Sequence, residues 1–293
     1  MYTQRPAEFA YHRPTSLGEA VGLLAAGDEA RPLAGGHSLL PLMKLRLVEP
    51  AALVDLGRIS GLDGIAEDGN GVRIGALATH SSVAASELVR SRCGVLATTA
   101  EGIGDRQVRN RGTIGGSLAH ADPAADYPTV VRALGATIVA TGSDGEREIA
   151  ADDFFTGVFT TSLHRGELIT AVRVPAIGAG WGAAYEKHRH PASGYAVAGV
   201  AAVVRVEDGK CAEARVVVGG VTGMPETAEG AANAIVGMSP VDEAAIAAAA
   251  SKVSEALSGA VGDTYASGEY RVHLATVLAK RAITKALEAA TGA

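Results

Sequence analysis

Cysteine is almost absent from this sequence: Cys93 and Cys211 are the two in 293 residues, and they stand far apart. That excludes a disulfide framework, a CxxC metal site and an iron–sulfur cluster held by this chain. Both are expected to be small buried apolar side chains. Aromatic residues make up 4% of the chain, so packing must rest on alanine, valine and leucine. A basic excess is also lacking, with 26 Lys+Arg against 32 Asp+Glu and a net charge of −6. No general nucleic-acid binder is expected from that balance. Small anionic ligands stay open, because they need only a local patch. No apolar run reaches the ~18 residues of a membrane span, and the opening "MYTQRPAEFAYHRPTS" has no signal-peptide core. A soluble, cytoplasmic protein without a membrane span is expected. The usual nucleotide motifs fail too. There is no G-x-x-x-x-G-K-[ST], and "GAGWG" (178–182) has the wrong spacing for a dinucleotide fingerprint.

Glycine, by contrast, is abundant at 37 residues, and two segments use it in the same way. "RPLAGGHSLLPLMKLRL" (31–47) places Gly35-Gly36 between a short apolar run and a Ser-Leu-Leu-Pro turn. "RNRGTIGGSLAHADPAADYP" (109–128) repeats the device at Gly115-Gly116-Ser117. Glycine lets successive backbone N–H groups turn inward and lets phosphate oxygens approach without a Cβ in the way. A serine after the turn adds a hydroxyl donor. Two such loops would cradle a pyrophosphate from both sides, which points to a dinucleotide. Arg106, Arg109 and Arg111 precede the second loop, and Asp122 and Asp126 follow it. A carboxylate beside a phosphate site reads as an acceptor for sugar hydroxyls. His188 and His190 lack a third ligand at suitable spacing and read as solvated or satisfied histidines.

The rest of the chain mixes short strands with helices, an α+β pattern rather than an alternating parallel sheet. A helix is expected over 15–27, capped by Thr15 or Ser16, with Leu17, Ala20, Val21 and Leu24 on one face and Gly27 at its end. Strands are expected at 51–59, 71–77 and 166–176, a helix from Thr79 to 91, and a hairpin over 134–150 turning at Ser143-Asp144-Gly145. The glycine-rich connector 176–184 marks the domain boundary. Beyond it, two apolar strands surround Glu207-Asp208-Gly209-Lys210. Two helices close the chain, one over 239–259 capped by Ser239 and one from Gly268 onward.

"AGGHSLLPLMKLRL" and "RNRGTIGGSLAHADPAADYP" closely resemble the two FAD-binding loops of the medium subunits of molybdenum hydroxylases. The likeness is greatest to the carbon monoxide dehydrogenase medium subunits, within the xanthine dehydrogenase superfamily. It runs from "FAYHRPTSLGEAVGLL" to "YRVHLATVLAKRA". The resemblance implies an α+β fold: a two-part FAD-binding domain of the PCMH/vanillyl-alcohol-oxidase type, then a C-terminal antiparallel sheet with helices. The FAD-binding domain would span 1–176, with a small βαβ part over about 1–55 and a larger α/β part over about 56–176. The C-terminal domain would span 177–293. Noncovalent FAD is implied. Ala34, Gly35, Gly36, His37, Ser38 and Leu39, with Gly112, Thr113, Ile114, Gly115, Gly116 and Ser117, would wrap its diphosphate and ribityl chain.

By the same resemblance, Asp126 in Pro123-x-x-Asp126 would accept from FAD hydroxyls, and Ile169 and Thr170 would line a wall through backbone contacts. Lys187 matches a lysine near the flavin ring, and Tyr195 the aromatic residue covering it. Relatives often carry Gly-Asp before that aromatic, where this chain has Ser193-Gly194. No side chain need act as a catalytic acid or base. The implied partners are a small two-cluster iron–sulfur subunit, a large molybdopterin subunit and an external electron acceptor. Electrons would pass from molybdenum through the clusters to FAD here. The rival readings are a free-standing flavin oxidase with its own substrate pocket and a flavin-free structural subunit. Covalent attachment of FAD through His37 is the variant that the resemblance disfavours.

Overall fold

The computed structural model describes residues 5–27 and 29–292. It opens with a small parallel unit. Strand β1 (Ala10–His12) leads to helix α1 (Leu17–Ala26), strand β2 (Ala30–Leu33), helix α2 (Leu39–Lys44) and strand β3 (Ala52–Asp55). β3 lies between the other two strands, parallel to both. Ser16 caps α1 by accepting from the Glu19 amide at 3.2 Å, and the Glu19 carboxylate reaches back to the Thr15 amide at 3.0 Å. This is a variant of the capping box. Ala20, Val21 and Leu24 of α1 pack on Val54, Leu56, Ile59 and Leu62 to form a separate small core.

The middle unit begins with β4 (Ile65–Asp68) and β5 (Gly71–Gly75). Helices α3 (His80–Ala85), α4 (Glu87–Glu101), α5 (Arg106–Arg109), α6 (Ile114–His120) and α7 (Asp126–Ala133) follow. Then come β6 (Thr137–Gly142), β7 (Gly145–Ala150), α8 (Ala151–Phe154), the small pair β8 (Phe155–Gly157) and β9 (Thr160–Thr161), and β10 (Leu168–Val174). The antiparallel sheet runs β4-β5-β10-β6-β7, so β10 returns to fill the centre. Val72, Ile74, Ile138, Ala140 and Val172 alternate onto the face that α4, α6 and α7 cover with Leu96, Leu118 and Val131.

The C-terminal unit is a second antiparallel sheet, β11 (Trp181–Arg189), β12 (Ala196–Glu207), β13 (Lys210–Gly219) and β14 (Glu226–Thr227). It is followed by α9 (Glu229–Ile235), α10 (Glu243–Ser251) and α11 (Gly268–Thr291). β12 is apolar on consecutive residues because both its faces are buried. Val200, Ala202 and Val204 face the helices, while Ala201 and Val203 join the core of the middle unit. Gly182 lets α11 lie directly on β11, since a Cβ there would stand 1.9 Å from the Ala286 carbonyl oxygen.

Several expectations need correcting. Ser38 opens a short helix, α2, where a Ser-Leu-Leu-Pro turn was expected. The 51–59 strand is confined to Ala52–Asp55. The helix expected over 79–91 is two helices, broken at Ser86, whose side chain caps the second. Asp242 rather than Ser239 caps α10, and the helix gives way to a 3-10 turn at Lys252–Ala256. Gly115 and Gly116 are the first turn of α6, not a loop.

Candidate functional site

The first glycine segment leaves β2 at Leu33 and enters α2 at Leu39. Gly36 takes φ +72°, a left-handed conformation that a β-branched side chain resists. Among the described residues, the amides of Gly36, His37, Ser38 and Leu39 donate to no other group. Four adjacent unpaired donors on one turn make an anion-binding concavity. His37 is exposed, and its Nδ1 lies 2.9 Å from the Gly35 carbonyl oxygen, tied to its own turn.

The second segment works differently. Gly112 ends the short run after α5, Thr113 caps α6, and the Thr113 hydroxyl accepts from the Gly116 amide at 3.1 Å. The Ile114 and Gly115 amides already donate to the carbonyls of Ala78 and Ala76. These glycines are needed for closeness rather than for left-handed backbone. A Cβ on Gly115 would stand 2.5 Å from the Ala76 Cβ, and one on Gly112 2.5 Å from the His80 Nε2. The two segments touch: a Cβ on Gly35 would meet the Arg111 carbonyl oxygen at 2.1 Å and the Gly112 Cα at 2.8 Å. Arg106 and Arg111 are exposed beside them, whereas Arg109 is spent on the carbonyls of Ile103 and Gly104.

Thr170 interrupts the pairing of β10 with β6 as a bulge between Ile169 and Ala171. Its carbonyl accepts from the Ala76 amide at 3.0 Å, and Ala76 in turn accepts from Gly115. Ala76 thereby ties the Ile169–Thr170 step to the second glycine segment. Both side chains point into the core, with Ile169 6% and Thr170 3% exposed.

Asp126 sits at the start of α7, 4% exposed. Its Oδ1 accepts from the Tyr185 hydroxyl at 2.7 Å, and Lys187 Nζ lies 2.8 Å from Oδ1 and 2.9 Å from Oδ2. Burial pushes the Asp126 carboxyl above the usual range, against the pull of the Lys187 ammonium. Lys187 donates further to the carbonyls of Gly102 at 3.1 Å and Gly194 at 3.0 Å. Asp126 and Lys187 thus form a buried pair between the middle unit and the C-terminal sheet, with all three ammonium protons directed at acceptors. Tyr195 is 38% exposed, and its phenol lies near Ser38, whose hydroxyl favours the phenolate. Burial, with Asp122 nearby, raises its pKa. The C-terminal sheet thereby delivers an aromatic ring to the rim of the first glycine turn.

The sequence reading passed over a third glycine turn, Gly102-Ile103-Gly104. Arg109, Lys187 and Arg189 all donate to its carbonyls. Two glycines at the end of a helical pattern were the available signal; the donors come from distant elements. His80, buried beneath the second segment, was also missed. Its Nδ1 has no partner among the described residues, and burial pulls its pKa down to about 4. Among the described residues, no cluster of three or more His, Cys, Asp or Glu is placed to hold a metal, and no helix is long and apolar enough to cross a membrane.

Open amides on a left-handed turn, packed against a second glycine segment and rimmed by an aromatic ring, suit a dinucleotide with a diphosphate and a flat ring. The family profile described as the FAD binding domain in molybdopterin dehydrogenase matches residues 7–177. The chain belongs to the FAD-binding medium subunits of the molybdenum hydroxylases. The CO dehydrogenase flavoprotein C-terminal domain matches residues 183–286. FAD is accordingly its cofactor, and the chain is a component of an oxidoreductase.

The carbon monoxide dehydrogenase medium chain of Afipia carboxidovorans is 40% identical, the match covering 96% of this chain and 97% of that one. The glyceraldehyde dehydrogenase medium chain of Sulfolobus acidocaldarius is 38% identical, with 94% and 98% covered. Among solved structures, reconstituted CO dehydrogenase from Oligotropha carboxidovorans superposes with a TM-score of 0.93 at 40% identity, covering 97% of this chain and 99% of that one. Quinoline 2-oxidoreductase from Pseudomonas putida 86 gives 0.91 at 35% identity, covering 98% and 99%.

Proposed function

We propose that this chain carries noncovalent FAD as the electron-transfer subunit of a molybdenum hydroxylase. It would receive electrons from a small iron–sulfur subunit served by a large molybdopterin subunit, and deliver them to an external acceptor. The observation that carries the reading is the first glycine turn, where the amides of Gly36 to Leu39 are left without partners and Gly36 holds φ +72°. In this reading the amides of Gly36 to Leu39 take the diphosphate oxygens. Ala34 and Gly35 set the turn against Gly112, and Thr113 to Ser117 close the other side with the Ser117 hydroxyl. The exposed guanidinium groups of Arg106 and Arg111 add positive potential. Ile169 and Thr170 give the wall that Ala76 anchors, and Tyr195 covers the ring.

Asp126 and Lys187 hold these walls in register, the lysine gripping Gly102 and Gly194 on either side. Bound FAD supplies the redox chemistry, and the protein supplies orientation and electrostatics. Relatives named for carbon monoxide, glyceraldehyde and quinoline are about equally similar, at 40%, 38% and 35% identity. The substrate is therefore read elsewhere in the complex. The test is to precipitate the purified protein with acid and chromatograph the supernatant. FAD in solution supports the reading; FMN alone, or flavin pelleting with the protein, overturns it.

A further inference from the structure

Tyr195 sits on a turn whose exposed limb, Pro191 to Ser193, is tied down by His190 and by the Ser193 hydroxyl, which accepts from the Tyr195 amide at 3.4 Å. The His190 amide donates to the Tyr195 carbonyl at 2.8 Å, and the Gly194 amide returns to the His190 carbonyl at 2.9 Å. The His190 Nδ1 then accepts from two further amides, Ala192 at 3.2 Å and Ser193 at 3.4 Å. Lys187 and Arg189 hold the turn only from beneath, the first at the Gly194 carbonyl and the second packed against the Gly194 Cα side.

The imidazole is itself held. Its ring packs edge-on against Tyr265, with centroids 4.5 Å apart. The Tyr265 and Ala266 amides donate to the Asp263 Oδ1 at 2.8 and 2.9 Å, and the buried Arg271 of α11 donates to the Asp263 Oδ2 at 2.5 Å. Arg271 also donates to the carbonyls of Val197 and Gly220 at the base of the sheet. A continuous chain of contacts thus runs from α11 through Asp263, Tyr265 and His190 to the turn that presents Tyr195 to Ser38.

We infer that His190 is the positioning residue that holds Tyr195 at the rim of the first glycine turn. The consequence for the flavin rests on the FAD reading above; the role in the turn does not. An Nδ1 lone pair that accepts two amides requires the neutral ring with its proton on Nε2. The group acts as a side-chain acceptor for amides two and three residues on, as asparagine does in an Asx turn. Leucine fills similar space and accepts nothing. Asparagine supplies a carbonyl oxygen in nearly the same place. The conservative replacement in this geometry is therefore asparagine.

The test uses the full chain loaded with FAD, in native form and as the His190→Leu, His190→Asn and Tyr195→Ala variants. Two readouts are taken: hydrogen exchange at the Ala192 and Ser193 amides, and flavin fluorescence, which a tyrosine ring against the isoalloxazine quenches. His190→Leu should speed exchange at those amides about five- to tenfold, the protection expected of a single hydrogen bond. It should also raise flavin emission toward that of Tyr195→Ala. His190→Asn should keep both near native values. Unchanged exchange in His190→Leu, or equal loss in the leucine and asparagine variants, overturns the inference. Faster exchange in His190→Leu, with emission unmoved even by Tyr195→Ala, upholds the role of His190 in the turn and overturns the placement of Tyr195 over the flavin.

Discussion

Gly35 and the Arg111 carbonyl are in such close contact that a Cβ on the glycine would stand 2.1 Å from the oxygen. Neither backbone can yield without parting the two glycine segments. Gly35→Ala should therefore cost about 2 kcal/mol of stability and weaken FAD binding at least tenfold. Gly36→Val should abolish binding through its φ of +72° while the fold survives. Gly18 is the control, because a Cβ there meets nothing within 4 Å. Gly18→Ala should leave binding unchanged and slightly stabilise α1. Urea denaturation and FAD titration of the three variants check this. Normal FAD affinity in Gly35→Ala would show that the segments need not touch.

Much of this was legible in the sequence where the signal is local. The cap of α1 at Ser16, the hairpin turning at Asp144, and the apolar strands around Asp208 all follow from residue type and spacing. The second glycine segment misled for a physical reason. Gly115-Gly116 reads as a turn by composition, yet both residues are helical, and their lack of a side chain serves contacts with Ala76 and the Thr113 cap. Gly116→Val should therefore act by displacing the Thr113 hydroxyl, 2.8 Å from the added Cβ, rather than through backbone strain. The environment of Asp126 was illegible. Its partners Tyr185 and Lys187 lie 59 and 61 residues away, and only the packing of the C-terminal sheet on α7 brings them there. Within α4, Cys93 leaves helical geometry at φ −151°, so the stretch is two helical pieces joined at a kink.

The Asp126–Lys187 pair gives the second prediction. Both side chains are nearly buried, with 5% and 12% exposed. Removing one partner strands a charge, so Asp126→Ala or Lys187→Met should each cost about 3–5 kcal/mol. The double replacement Asp126→Leu with Lys187→Met leaves no buried charge and should cost less than either single change. Denaturant unfolding of the set decides the matter, since losses that simply add would mean the two groups do not interact.

Stability should also respond to pH through His80. Its folded pKa is pulled down to about 4 by burial, with His37 and Arg109 adding to the effect. The unfolded chain holds it near about 6.5, so between the two values the unfolded state binds the extra proton. The contribution is complete above about 6.5 and disappears as pH falls toward about 4, a difference of roughly 3 kcal/mol at most. His80→Gln should flatten that part of the stability profile. An unchanged slope in the variant would assign it to other groups.

Electrons are proposed to reach this chain from partner subunits, its own residues binding FAD without oxidising a substrate. The direct measurement follows the oxidised-flavin absorption band in the isolated, FAD-loaded chain and in the complex purified from the native host. Carbon monoxide, glyceraldehyde and quinoline are offered to each in turn, without oxygen. The expected result is that none bleaches the isolated chain, whereas the complex's own substrate bleaches the flavin in the assembled enzyme. Bleaching of the isolated chain by any of the three would contradict it.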